Sequence, residues 1–290
     1  MSSPRWPPAG RAAATPTATA RRAPTRAPAR RTLAHLAHLA QIADEQRDPA
    51  GDQPAACDPS EQTAAPAATL PGQVDLAHRG AEMIAVTLDD LSGLALCGPA
   101  AGDAARAVVA GLVVSAGPGQ AEAFVAGETT GRLLPGVDHP AIRRATSTDT
   151  AVRIVEAERI ARTRRLDAAD VADAEGFRRD NPENPLPVLL AVCDGPPAET
   201  VARWAALAAD GPRLGIAAVY LGGTPAAAAR VVTDEARQVT AASPGPLAAR
   251  LAGAELFGLS AGEAAELLGA VTDSLVDNPE PAVEPAGTPS

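Results

Sequence analysis

Lysine is absent from the 290-residue chain, whose 25 basic side chains are all arginine. No lysine can therefore reach a terminal phosphate, form a Schiff base or serve as a catalytic base. Aromatics are nearly as scarce: Trp6, Phe124, Phe177, Trp204, Tyr220 and Phe257 are the whole set. That is too few for the stacking platform with which proteins hold single-stranded nucleic acid. Cys57, Cys97 and Cys193 stand without C-x-x-C spacing, which fits reduced thiols and a cytoplasmic setting. Of the histidines at 35, 38, 78 and 139, His35 and His38 lie one helical turn apart, but nothing in the sequence completes a metal site. Long apolar runs are missing as well. The longest uncharged stretch, 107–121, is broken by Gly111, Gly117, Pro118 and Gly119 and falls short of the roughly 20 apolar residues of a bilayer span.

What is present is charge, unevenly placed. The net charge is −10, yet residues 1–43 hold seven Arg and no acid, so the rest of the chain carries −17. An acidic folded part repels phosphate backbones, and no nucleic-acid contact is expected of it. The Arg/Ala/Pro/Thr-rich start lacks periodicity and reads as a solvated, disordered tail. No apolar segment of signal-peptide type follows it.

Composition divides the chain in three: a disordered tail and linker at 1–70, an α/β domain at 71–277, and a Pro/Glu-rich tail at 278–290. A short helix is expected at 32–43 within the first part. In the domain, apolar runs at 83–88, 93–97, 121–125, 187–193 and 214–221 read as strands, the last two apolar throughout, as strands buried on both faces are. Helical periodicity marks 103–114, 151–165, 199–209 and 260–275. Within 151–165, Ile154, Ala157, Ile160 and Ala161 are expected to face the core, with Glu158 and Arg162 paired on the outer face. Ser260 and Glu263 have the spacing of a capping box. Residues 166–184 read as a surface loop, and 230–233 with 238–241 as a hairpin. Strands alternating with helices predict three layers, a mostly parallel sheet with helices on both faces.

Chemistry is expected in one place. Gly93-Leu-Ala-Leu-Cys-Gly98-Pro-Ala-Ala-Gly102-Asp103-Ala104-Ala-Arg106 has the order strand, glycine turn, helix. That order aims backbone N–H groups and a positive helix end at one spot, the usual phosphate seat. A working Walker A loop reads G-x-x-x-x-G-K-[ST]. Here Gly98 and Gly102 are one residue too close, Asp103 falls where Lys belongs, and Ala104 where Ser or Thr belongs. The carboxylate reverses the sign of the seat, and repulsion of a phosphate about 4 Å away amounts to roughly 4 kcal/mol at intermediate dielectric. Asp103 is expected to serve the helix N-terminus as cap or first-turn acid, and Arg106 to be a solvent-exposed helix residue. The strand at 187–193 similarly resembles a Walker B strand ending in Asp194, but Gly195 follows where many ATPases carry a water-polarising Glu.

These spacings, with Arg203-Trp-Ala-Ala-Leu-Ala-Ala209 and Gly215-Ile-Ala-Ala-Val-Tyr-Leu-Gly222, are similar to the second half of FtsK/SpoIIIE-type translocase ATPases. Where that family carries a Thr-Gln sensor, this chain has Gly222-Gly-Thr-Pro225. Residues 93–110, 203–221 and 238–268 also resemble a region of large actinobacterial regulators that combine LysM and bacterial transcriptional activator (BTAD) domains. The resemblance implies a degenerate P-loop NTPase-like fold in a regulatory setting, with fused domains or a protein as partner. It transfers no catalytic residue. A non-catalytic scaffold without cofactor is the expectation. The alternatives are a nucleotide-sensing domain, or a weak ATPase that binds ATP and Mg²⁺ with Asp194 on the metal and an Arg in place of Lys. Cys97 and Cys193 are expected to end strands separated by one other strand, about 10 Å apart and too far for a disulfide.

Overall fold

A computed structural model describes residues 72–277 apart from 118 and 244. The expected tail at 1–70, the helix at 32–43 with His35 and His38, Cys57 and the tail at 278–290 lie outside the described residues. Ten strands and eight α-helices are described, and two sheets organise them.

The main sheet holds seven strands: β3 (Leu94–Cys97), β4 (Ala121–Ala126), β5 (Ile142–Ala145), β6 (Val188–Asp194), β7 (Ile216–Leu221), β8 (Ala229–Thr233) and β9 (Val239–Ala242). They stand in the order β5-β4-β6-β7-β3-β8-β9, every pair parallel except the β8–β9 hairpin. The expected mostly parallel α/β sheet is what forms. Alternation along each strand divides the core in two. Leu190, Val192, Ala217, Val219, Leu94 and Leu96 pack to one face. Leu189, Ala191, Cys193, Ile216, Ala218 and Tyr220 pack to the other. An apolar run without polar alternation buries both faces of its strand, so β6 and β7 are central. As expected, β7 separates Cys97 on β3 from Cys193 on β6; both thiols are buried and free.

On one face lies α2 (Ala101–Ala116), which is buried nearly all round. It is sandwiched because a second sheet, β10 (Glu255–Leu256), β1 (Val74–Arg79) and β2 (Glu82–Val86), and α8 (Ala261–Asp277) cover its far side. Gly111 permits this: a Cβ there would stand 3.3 Å from a methyl of Val74. The capping box of α8 forms, Ser260 N donating to Glu263 Oε2 at 2.8 Å and Glu263 N to Ser260 Oγ at 3.2 Å.

The opposite face carries α4 (Thr148–Ala169) and α6 (Val201–Asp210). Here the expected orientation of α4 is corrected. Its buried face is Ala151, Val152, Val155, Arg162 and Leu166, whereas Ala157 and Ala161 are exposed and Ile160 is 48% exposed. Arg162 is not on the outer face but 1% exposed. Its Nη1 donates to the carbonyls of Leu214 (3.0 Å) and Gly215 (3.2 Å), and its Nε to Glu158 at 2.8 Å. A short 3₁₀ turn at Pro212–Leu214 leaves those carbonyls facing the helix. Buried acceptors need donors, so a cation takes a core position that apolar periodicity assigned elsewhere.

Other differences are short elements. The strand expected at 83–88 stops at Val86, since Thr87 and Asp90 form a capping box that opens α1 (Leu88–Leu91). The expected loop 166–184 contains the end of α4 and α5 (Ala174–Asp180), capped by Asp173 Oδ1 on Gly176 N at 2.8 Å. Two further short helices, α3 (Glu128–Gly131) and α7 (Pro246–Leu251), and strands β1, β5 and β10 were not foreseen.

Candidate functional site

The glycine turn sits where the sequence pattern puts it, between the carboxyl end of β3 and the start of α2. Gly98 has φ +96°, a left-handed conformation that disfavours any side chain. A Cβ there would lie 2.0 Å from the carbonyl oxygen of Thr233. The turn is therefore clamped to the end of β8, and Thr233 Oγ1 donates to Cys97 O at 3.2 Å from the same side. Gly102 differs. It lies in the first turn of α2 with Arg106 Nη1, at 3.7 Å, the nearest atom to a hypothetical Cβ.

Asp103 does not cap the helix. The cap position is Ala100, without a side-chain bond, so Asp103 is the first-turn acid of the two expected roles. Its carboxylate accepts from Nη2 of Arg106, one turn on. The expectation for Arg106 is overturned: its side chain is 14% exposed and turned inward. Its Nε donates to Leu259 O at 2.7 Å and its Nη1 to Leu133 O at 3.3 Å. One carboxylate and two carbonyls thus hold the cation, because the chain from Phe257 to Ser260 crosses α2 here, Leu259 N donating to Asp103 O at 3.0 Å. Ala104 is fully buried and offers no hydroxyl for a metal.

The remaining cavity beside Gly102 is about 270 Å³, walled by Arg106, Glu128, Arg132, Leu133 and Leu221. It is smaller than the roughly 300–1,000 Å³ of ordinary ligand pockets. On its rim Arg132 and Glu128 pair at 3.0 Å, both largely exposed.

Asp194 ends β6 opposite Leu221 in the β6–β7 register. One strand separates it from β3, so the sheet brings the Gly98 turn and Asp194 to the same end of the parallel strands, about 10 Å apart laterally. Gly195 N donates to Leu221 O at 3.1 Å, and a Cβ on Gly195 would come within 3.2 Å of Gly223 O. A larger residue at 195, such as the Glu that many ATPases carry after this strand, would crowd that turn. Thr224, nearest to the expected sensor position, accepts from Ala226 N at 3.2 Å and so serves its own turn. Among the described residues no group of His, Cys, Asp and Glu is arranged to hold a metal.

Sequence reasoning missed Leu259, Leu133 and Arg237. The last has φ +66° and donates from Nε to Leu256 O at 3.2 Å and from Nη2 to Glu255 at 3.0 Å. Its Cδ would be 2.4 Å from a Cβ on Gly258. The one legible sign was that glycine in Leu256-Phe-Gly-Leu-Ser260. Burial raises the Cys193 thiol well above its ordinary value, so it stays protonated and unreactive.

No family model matches the chain, and no curated protein matches it. Solved structures do. The chain is similar to ATPases 2 and 3 of EssC from Geobacillus thermodenitrificans, at TM-score 0.52 and 15% identity over 80% of this chain and 54% of that one. It is also similar to the cytoplasmic domain of EssC, at TM-score 0.50 and 14% identity over 74% of this chain and 52% of that one. The chain thus spans about half the length of these structures. The fold is an α/β P-loop NTPase-like one, in agreement at the level of fold with the translocase resemblance. No helix described is long and apolar enough to cross a membrane.

Proposed function

We propose that this chain is a non-catalytic scaffold or regulatory module that keeps a P-loop NTPase-like fold, cytoplasmic and part of, or derived from, a larger transcription-regulatory protein of the LysM/BTAD kind. The observation that carries this reading is the Asp103–Arg106 pair. The first turn of α2 carries its own anion, and the nearby cation is tied to Asp103, Leu259 and Leu133. A triphosphate would meet a carboxylate where it needs a lysine, next to a cavity of about 270 Å³. Active sites of this class work almost entirely by positioning and by electrostatic stabilisation of phosphoryl oxygens. With no Lys, no hydroxyl at Ala104 and no Glu at Gly195, each of those contributions is missing. The preserved sheet then presents surfaces to a protein partner or to fused domains.

A nucleotide-binding reading draws on Asp194, which stands at the strand end where such proteins hold Mg²⁺. One experiment separates the two. ATP with Mg²⁺ is titrated calorimetrically onto the full chain, alongside a phosphate-release assay. No saturable heat and no release is the expected result. Saturable millimolar or tighter binding that Asp194→Asn weakens would sink the scaffold reading, and release abolished by the same change would establish an ATPase.

A further inference from the structure

Residues 132–141 run from α3 to the edge strand β5 without helix or strand. Leu133 and Leu134, at their start, are sunk in the core. The second half is held more lightly. Pro135, Gly136 and Asp138 are exposed, and the chain turns at Gly136 with φ +71°. Arg144 of β5 reaches back, its Nη2 donating to Leu134 O and, at 3.2 Å, to Val137 O. A further tie is the ring of His139, 5% exposed, whose Nδ1 accepts from Ala141 N at 3.1 Å. The entry to β5 rests on that turn: Ile142 N donates to His139 O at 2.9 Å, and Ala123 N of β4 to Ala141 O at 2.8 Å. Beyond it β5 is four residues long, half-exposed and paired on one side. Elements of this kind lie at the low end of local stability.

The ring can be neutral here but not charged. A nitrogen that accepts a hydrogen bond carries no proton, so the neutral ring holds its proton on Nε2. Nε2 has no partner among the described residues. Protonation would add an N–H at Nδ1, pointing at the N–H of Ala141, and leave two ring donors without an acceptor. The charged groups of the neighbouring elements do not offset this. Asp138, on the same segment, is exposed. Glu122 of β4 pairs with Arg143 of β5 at 3.4 Å, Glu128 pairs with Arg132 at 3.0 Å, and Asp103 pairs with Arg106 of α2. The remaining neighbour, Arg144, is itself a cation. Burial alone lowers the pKa of the ring below the ordinary 6.5.

We infer that His139 is an acid-released latch on this edge of the main sheet: the neutral ring holds residues 135–142 against β4, and the protonated ring leaves its site and lets that segment detach while the rest of the domain stays folded. Anchors on either side limit the opening. Leu133 and Leu134 hold the chain upstream. Downstream, Arg143 lies 5.5 Å over the ring of Phe124 and pairs with Glu122. Opening frees Ala123 N on β4, an edge donor of the kind that an added strand takes up. The inference does not depend on whether the chain binds a nucleotide. The latch is complete above pH 6.5 and weakens below it, because the open form takes the proton. With an open form titrating at the ordinary value, opening at pH 5.5 rises by up to about tenfold.

Hydrogen exchange read by mass spectrometry on the full chain at pH 7.5 and 5.5, corrected for intrinsic exchange rates, tests this. Protection within 137–142 is expected to fall about fivefold to tenfold at pH 5.5, with 188–194 and 216–221 unchanged. His139→Asn keeps an acceptor for Ala141 N and does not titrate, so it should abolish the pH dependence; His78→Asn, in the small sheet, should retain it. A change below twofold, an equal loss across β6 and β7, a pH dependence that survives His139→Asn, or one lost in His78→Asn overturns the inference. Should His139→Asn fail to fold, nuclear magnetic resonance on the parent chain decides. The His139 Cε1–H and Ala141 N–H signals must then titrate with one shared midpoint below pH 6.5, and separate midpoints overturn the latch.

Discussion

Gly98 and Gly102 bound the turn between β3 and α2 that the sequence pattern reads as phosphate-type, and the structure gives them different surroundings. In a working loop the second glycine lets a phosphate approach the backbone; here a Cβ at Gly102 meets nothing closer than 3.7 Å. Gly102→Ala should therefore be tolerated. In the first turn of a helix Ala is preferred over Gly by about 0.5–1 kcal/mol, so the variant should be neutral or stabilised by that much. Gly98→Ala differs, because the new carbon would sit 2.0 Å from Thr233 O, a backbone atom of β8 that cannot swing away, at φ +96°. The strained conformation costs on the order of 1–3 kcal/mol and the overlap forces β3 and β8 apart, so a total loss above about 3 kcal/mol follows. For a domain of some 200 residues that is roughly a 6–12 °C drop in thermal midpoint. Urea and thermal unfolding of both variants read the effect. The reasoning fails if Gly98→Ala unfolds within a degree or two of the parent, or if Gly102→Ala is the damaging change.

Two further outcomes follow from buried groups. Arg162→Ala strands the Leu214 and Gly215 carbonyls and leaves Glu158 without its partner; a loss of about 3–5 kcal/mol is expected, with Arg162→Lys recovering less than half, by chemical denaturation. His139 is 5% exposed, its Nδ1 accepts from Ala141 N at 3.1 Å, and Nε2 has no partner among the described residues. Burial lowers its pKa below the ordinary 6.5. The neutral ring is thus favoured in the folded state, its contribution is complete above pH 6.5, and it is lost as pH falls from there through the folded value. The thermal midpoint should drop between pH 7 and 5.5, and His139→Asn, which keeps an acceptor for Ala141 N, should flatten that slope; parallel curves would refute the assignment.

Much of the architecture was written locally. The uninterrupted apolar runs of β6 and β7 require burial on both faces, which only a central position in a covered sheet provides. Ser260 and Glu263 fix the start of α8 through bonds three residues apart. The shortened glycine turn, the missing lysine and Asp103 are equally plain in the chain, because a sign reversal at a helix N-terminus needs no tertiary information. Local pattern failed where distant groups set the requirement. Arg162 is in the core because the carbonyls of Leu214 and Gly215 need donors, and no periodicity within α4 encodes that demand. Arg106 turns inward because Leu259, 153 residues away, brings a carbonyl to it. Gly98 is obligatory because the backbone of β8 lies against it, a contact that exists only once parallel pairing has closed. Sequence thus determined the central strands, the long helices and the absence of lysine from the glycine turn, while tertiary structure decided the short elements and the partners of Arg106 and Arg162, since hydrogen-bonding partners are set by proximity in space.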